Sequence, residues 1–149
     1  MEQAVILCDG YFGQSTGKTA NGLVRYSKRY AIVGVIDRTK AGRDAGEVLD
    51  GKANGIPIVA DLKEALVRCT PQTLIIGVAT FGGYIPQEYR PVIREAIEHG
   101  LNVVAGLHEY LSEDPEFAKL AEAHGVRLVD ARKPRPIRES KQFSDLSRK

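Results

Sequence analysis

The sequence predicts an α/β protein: a Rossmann-like, doubly wound parallel sheet of six strands, forming a single three-layer domain. Three observations carry this. Six short apolar runs alternate with segments of helical periodicity, the order that gives right-handed crossovers and a parallel sheet. The runs are continuous rather than alternating, as expected of strands covered on both faces. The first run also passes through a glycine-rich turn directly into a helix-forming segment. The predicted strand order is 3-2-1-4-5-6.

The elements follow in order. Ala4–Asp9 is the first strand, and Thr19–Ser27 the first helix, with Ala20, Leu23 and Tyr26 on one face. The run Ala31–Asp37 is the second strand and ends in an acid. The stretch from Arg38 to Asn54 is polar and glycine-rich, a loop with at most a short helix at Ala45–Leu49. Ile56–Ala60 is the third strand, Asp61 an N-cap, and Leu62–Cys69 the next helix. Thr73–Ala79 is the fourth strand, followed by a tight turn at Thr80–Gly83 and a helix over Gln87–His99 closed by Gly100. Leu101–Ala105 is the fifth strand. A helical region from His108 to His124, restarted at Asp114-Pro115, ends at Gly125 before the sixth strand, Val126–Asp130.

Bulk properties narrow the class. A chain of 149 residues, 43% hydrophobic and 27% charged, fits one globular domain with a buried core. No window approaches the length of apolar sequence a membrane span needs, and Met1-Glu2-Gln3 leads straight into a strand without a signal peptide's pattern, so the expected location is cytoplasmic. The domain is expected over residues 1–131. Residues 132–149 carry seven Lys/Arg against Glu139 and Asp145, and with Pro134 and Pro136 they read as a basic linker or disordered tail. No aromatic platform or recognition-helix pattern accompanies that charge, so a nucleic-acid partner is not expected. Cys8 and Cys69 lack metal-ligand spacing and read as buried thiols.

In this fold ligands sit at the carboxyl ends of the strands, where the strand order reverses. That rule gathers the Gly10–Thr19 turn, Asp37-Arg38, Ala79–Gly83 and Gly106–Glu109. The candidate ligand-binding residues are Gly10, Gly13, Gly17, Lys18, Thr19, Asp37 and Arg38. A glycine turn opening a helix aims backbone N–H groups and the helix dipole at an anion, typically a phosphate. Neither common template is met: the glycines are spaced three and four apart, unlike G-x-G-x-x-G, and Gly13-Gln14-Ser15-Thr16-Gly17-Lys18-Thr19 is one residue short of a P-loop. The competing reading is a turn whose glycines serve close packing, with Lys18 solvated. Asp37 stands where dinucleotide folds hold ribose hydroxyls, though a turn or N-cap acid reads equally well there. Arg38, Lys40 and Arg43 are either anion contacts or a solvated loop. His99 and His124 precede helix-capping glycines; His108, beside Glu109, is the histidine to test for acid–base work.

The segments Cys8-Asp9-Gly10, Gly17-Lys18-Thr19-Ala20-Asn21-Gly22-Leu23-Val24-Arg25-Tyr26, Val35-Ile36-Asp37 with Ala41-Gly42, and Asp130-Ala131-Arg132-Lys133-Pro134 resemble the N-terminal domain of a bacterial and archaeal family of unknown function often labelled NAD-dependent epimerase/dehydratase. The resemblance covers nearly the whole chain up to Pro136. It implies a Rossmann-like domain followed by a larger C-terminal P-loop domain, absent from this chain, and an activity linked to N-acetylation of D-glutamate with acetyl-CoA as donor. A second likeness, through Gly55–Val59, Ile75–Ala79 and Ala96–Val104, is to the CoA-binding domain of succinyl-CoA synthetase. Acetyl-CoA or CoA and NAD(P) are therefore the cofactor candidates. The expected function is a nucleotide- or CoA-type module of an acyltransferase-like protein, inactive alone and binding a small phosphate-containing ligand, with a homodimer possible. The alternative is an assembly domain with a vestigial ligand site.

Overall fold

A computed structural model describes residues 1–132 of the chain. Its six strands, counted along the chain, form one sheet in the order 3-2-1-4-5-6, and the family of folds it defines is Rossmann-like α/β. By internal contacts the chain resolves into two units, Met1–Val78 and a second beginning at Ala79.

In the first unit, β1 (Glu2–Leu7) lies between β2 (Tyr30–Ile36) and β4 (Thr73–Ile76), parallel to both, and β3 (Ile58–Val59) adds to the outer side of β2. The apolar run of β1 explains its central place: Ala4 through Cys8 have no exposed surface, which only a strand flanked on both edges and covered on both faces achieves. The order reverses between β1 and β4, both of this unit. Helix α1 (Lys18–Tyr26) buries Ala20 and Leu23 and donates the Ala20 N–H to the Gly77 carbonyl just past β4. Contact is close here, since a Cβ on Gly77 would stand 2.9 Å from that of Ala20. Arg25 of α1 forks onto Asp50 at the end of α2 (Ala45–Asp50), at 2.7 and 3.1 Å. Helix α3 (Leu62–Arg68) is capped by Asp61, which accepts from the Glu64 N–H.

The second unit pairs β5 (Asn102–Ala105) with β6 (Leu128–Asp130) in parallel. Helices α4 (Arg90–Glu98) and α5 (Pro115–His124) pack together, and Ile93, Ala96 and Ile97 of the first and Phe117 of the second are buried. Arg90 ties them, reaching Asp114 at 2.6 Å with its guanidinium 4.5 Å from the Phe117 ring centroid.

Where elements differ from the sequence expectation, hydrogen bonding gives the reason. The third strand is only two residues long: Pro57, whose carbonyl still accepts from the Val35 N–H at 3.0 Å, bridges Asp44 on its other side, and the Ala60 N–H turns to the Glu64 carboxylate. No α-helix starts at His108. The His108 and Glu109 N–H groups go to the Gly83 carbonyl and those of Leu111 and Ser112 to Asp130, which anchors the segment as a loop with only a 3-10 turn at Leu111–Glu113. The expected basic segment, apart from Arg132, lies outside the described residues. Among the described residues no helix is long and apolar enough to cross a membrane, and no group of three or more His, Cys, Asp or Glu is placed to hold a metal.

Candidate functional site

The turn from Cys8 to Lys18 winds on itself. Successive N–H groups fold back, Tyr11 to the Cys8 carbonyl, Gln14 to Tyr11, Gly17 to Gln14 and Lys18 to Ser15, at 3.0 to 3.2 Å. Gly10 and Gly13 take φ of +87° and +85°, a region that side chains avoid. Gly17 answers a different demand. Its φ of −90° suits any residue, but a Cβ there would meet the Tyr11 carbonyl oxygen at 2.2 Å. This glycine lets helix α1 begin against the turn.

Asn21, one turn into α1, fixes the outer part of the turn: its Oδ1 accepts from the Gly13 N–H at 3.1 Å and its Nδ2 donates to the Gln14 carbonyl at 3.3 Å. Among the described residues, the backbone N–H groups of Ser15, Thr16 and Thr19 carry no hydrogen bond. They flank Lys18, whose side chain is exposed, at the start of a nine-residue helix with no acid in its first turn. Unsatisfied N–H donors, a cation and the positive end of a helix dipole make this the anion-attracting end of the turn.

The other end is already filled by an acid. Asp37, at the end of β2 and without exposed surface, accepts from the Gly10 N–H on Oδ1 and the Phe12 N–H on Oδ2, each at 3.0 Å. It also takes the Thr39 N–H at 3.0 Å and the Thr39 hydroxyl at 2.6 Å. Asp9 returns the link in the opposite direction, accepting from the Arg38 N–H at 2.8 Å and from Arg38 Nε at 2.9 Å. The two strand-end loops are thereby cross-tied, each by an acid of its own receiving donors from the other. Beneath them Cys8 is sealed in, and burial, with the Asp37 charge beside it, pushes its thiol up to about 12. It is an inert, protonated group rather than a nucleophile. Lys40 lies near the turn, its Cε 4.0 Å from where a Cβ on Gly13 would be.

The predicted residues thus divide. Gly10, Asp37 and Arg38 belong to the cross-tied end; Gly13 is anchored by Asn21; Gly17, Lys18 and Thr19 form the start of α1. Reasoning from sequence missed Asn21, Asp9 and Thr39 as the residues that set the turn. The available signal was Asn21 itself, a poor helix former in the first turn of a helix, where its side chain competes for nearby backbone groups.

The loops of the second unit form their own cluster. Gly83, at φ +72°, accepts from both the His108 and Glu109 N–H groups at 2.9 Å, and the His108 ring lies so close that a Cβ on Gly83 would stand 2.5 Å from it. Glu109 gives a carboxylate oxygen to the Ile85 N–H at 2.6 Å, which occupies it with backbone rather than with the histidine beside it. Phe81 is fully exposed.

A parallel sheet in this order, with a glycine turn leading from its central strand into a helix, defines a Rossmann-like domain. Residues 38–134 match the family described as "Domain of unknown function (DUF1611_N) Rossmann-like domain", and the chain belongs to that family. A D-glutamate N-acetyltransferase from Pseudoalteromonas sp is 40% identical over 85 residues, covering 54% of this chain and 26% of that protein. The crystal structure of a DUF1611 family protein from Anabaena variabilis superposes with a TM-score of 0.79 at 36% identity, over 90% of this chain and 37% of that one. The amine dehydrogenase of Mycobacterium smegmatis is similar at TM-score 0.58 and 25% identity, over 81% of this chain and 36% of that one. The match therefore spans about a quarter of the curated relative's length and little more than a third of these solved chains.

Proposed function

We propose that this chain is the nucleotide- or CoA-type ligand-binding domain of a two-domain D-glutamate N-acetyltransferase-like protein. In this reading Lys18 and the N–H groups of Ser15, Thr16 and Thr19 hold a phosphate, and Gly10, Gly13 and Gly17 shape the turn that presents them. The observation that carries it is the set of hydrogen-bond-free N–H groups beside Lys18, at the strand-order reversal where α/β sheets take their ligands. The acetyltransferase name comes from a relative of which the match covers only 26%, so in this reading catalysis is assigned to parts of that protein outside the match, and the chain alone is taken to be inactive.

A second reading has support of its own. Gly17 is required by contact with Tyr11, and Asp37 by the turn's own N–H groups, so much of the motif serves packing. In that case the domain is an assembly element with a vestigial site.

Thermal unfolding of the purified chain separates the two. A ligand bound only by the native state at roughly 100 times its dissociation constant adds about 2.7 kcal/mol. The binding reading expects acetyl-CoA, CoA or inorganic phosphate to raise the melting temperature and Lys18→Ala to remove the shift. No shift with any of them selects the assembly reading.

A further inference from the structure

We infer that Asp37 is the turn's built-in anion and that it closes this domain to NAD-type dinucleotides, leaving only the Ser15–Thr19 end for a phosphate-bearing ligand. The part concerning that remaining end rests on the binding reading above; the exclusion of dinucleotides does not.

A dinucleotide site of this fold uses two things: glycine-turn N–H groups facing the pyrophosphate, and an acid at the end of the second strand facing the ribose hydroxyls. Here these two are bonded to each other. Both carboxylate oxygens of Asp37 are committed to Gly10 N–H, Phe12 N–H and Thr39, and the residue has no exposed surface from which to meet a ribose. A pyrophosphate brought to the same N–H groups would place a second anion against a buried carboxylate, which repels it and competes for the same donors. Turning Asp37 out would strand those donors and the Thr39 hydroxyl together. The neighbouring Arg38 gives its N–H and Nε to Asp9, while its side chain stays largely exposed.

The chain uses the same device where no dinucleotide contact is expected. Asp130, at the end of β6 and buried, accepts the Leu111 N–H at 2.6 Å and the Ser112 N–H at 3.0 Å, holding the loop that follows β5. An acid ending one strand and fastening the loop after its neighbour is thus a repeated structural habit of this molecule. At β2 it has the added effect of occupying the groups a dinucleotide needs.

Calorimetric titration of the full chain with NAD, NADP and CoA, together with Asp37→Asn and Asp37→Ala, tests this. The expected result is no binding of NAD or NADP at millimolar ligand. Asp37→Asn should melt well below the unaltered chain, since its amide turns N–H groups toward N–H groups. Asp37→Ala should regain melting temperature with sodium formate, which supplies the missing carboxylate, and not with sodium chloride at equal concentration. Sub-millimolar binding of NAD or NADP by the unaltered chain overturns the inference, as does an Asp37→Asn chain that melts at the unaltered temperature. A chain that binds neither dinucleotide nor CoA removes the proposed function while upholding the exclusion.

Discussion

Replacing Gly17 with alanine isolates a single contact. The backbone at Gly17 has φ −90° and ψ 15°, open to alanine, so the dihedral angles contribute nothing. The added Cβ would lie 2.2 Å from the Tyr11 oxygen, 2.9 Å from its carbonyl carbon and 3.0 Å from Cys8 Sγ. Real contacts of this kind do not fall below 3.0 Å, so a main-chain carbonyl must retreat by about 0.8 Å. That carbonyl accepts the Gln14 N–H, and retreat strains this bond too. Overpacking against backbone at about 1–3 kcal/mol and a weakened hydrogen bond at about 1 kcal/mol give a loss of about 2–4 kcal/mol. At about 4 °C per kcal/mol for a chain this size, the melting temperature falls by about 8–16 °C. Gly22, in the same helix with nothing within 4 Å of its Cβ position, is the control; Gly22→Ala should stabilise by about 0.5–1 kcal/mol. Urea unfolding of both variants measures the difference. A Gly17→Ala chain within about 0.5 kcal/mol of the unaltered one refutes the reasoning.

Other outcomes follow from the same geometry. Asn21→Ala frees the Gly13 N–H and should lower stability by about 1 kcal/mol and weaken phosphate-ligand affinity, whereas an unchanged affinity detaches Asn21 from the proposed site. Cys8 should resist a disulfide reagent at about pH 8 until the chain is denatured, when both thiols titrate; fast native labelling of Cys8 contradicts its burial. Burial raises the Asp114 carboxyl, but the Arg90 guanidinium and the Phe117 and Glu116 N–H groups outweigh it and hold it below its ordinary 3.8. A depressed folded value means this contribution is fully present above the ordinary value and is lost as pH falls through the folded one. The acid limb of melting temperature against pH should therefore be shallower in Asp114→Asn, and a superimposable limb rules the pair out as its source.

Strand number and order were legible because continuous apolar runs such as Ala4–Cys8 and Thr73–Ile76 have no other home than a sheet covered on both faces. Helix ends marked by Asp61 and by Gly125 were legible for the same local reason, a side chain or glycine that satisfies the orphan groups of a helix end. What local pattern could not reveal were bonds between distant segments. The region from His108 carries helical periodicity, yet Gly83 and Asp130 take its first N–H groups. The short third strand is likewise set by Asp44 and Glu64 from outside it. At the candidate site the sequence marked Asp37 and Gly17 by type and spacing but left open what each faces. Asp37 faces the turn's own N–H groups across 25 and 27 residues, and Gly17 faces the Tyr11 carbonyl.

In the proposed function the free end of the turn binds a phosphate. The most direct test follows backbone amide resonances of the chain during titration with CoA and, separately, inorganic phosphate. The account predicts saturable shifts led by Ser15, Thr16 and Thr19, the amides without hydrogen bonds, with Gly10 and Phe12 little moved because Asp37 holds them. Shifts centred on Gly10 and Phe12, or none in the turn at millimolar ligand, would contradict it.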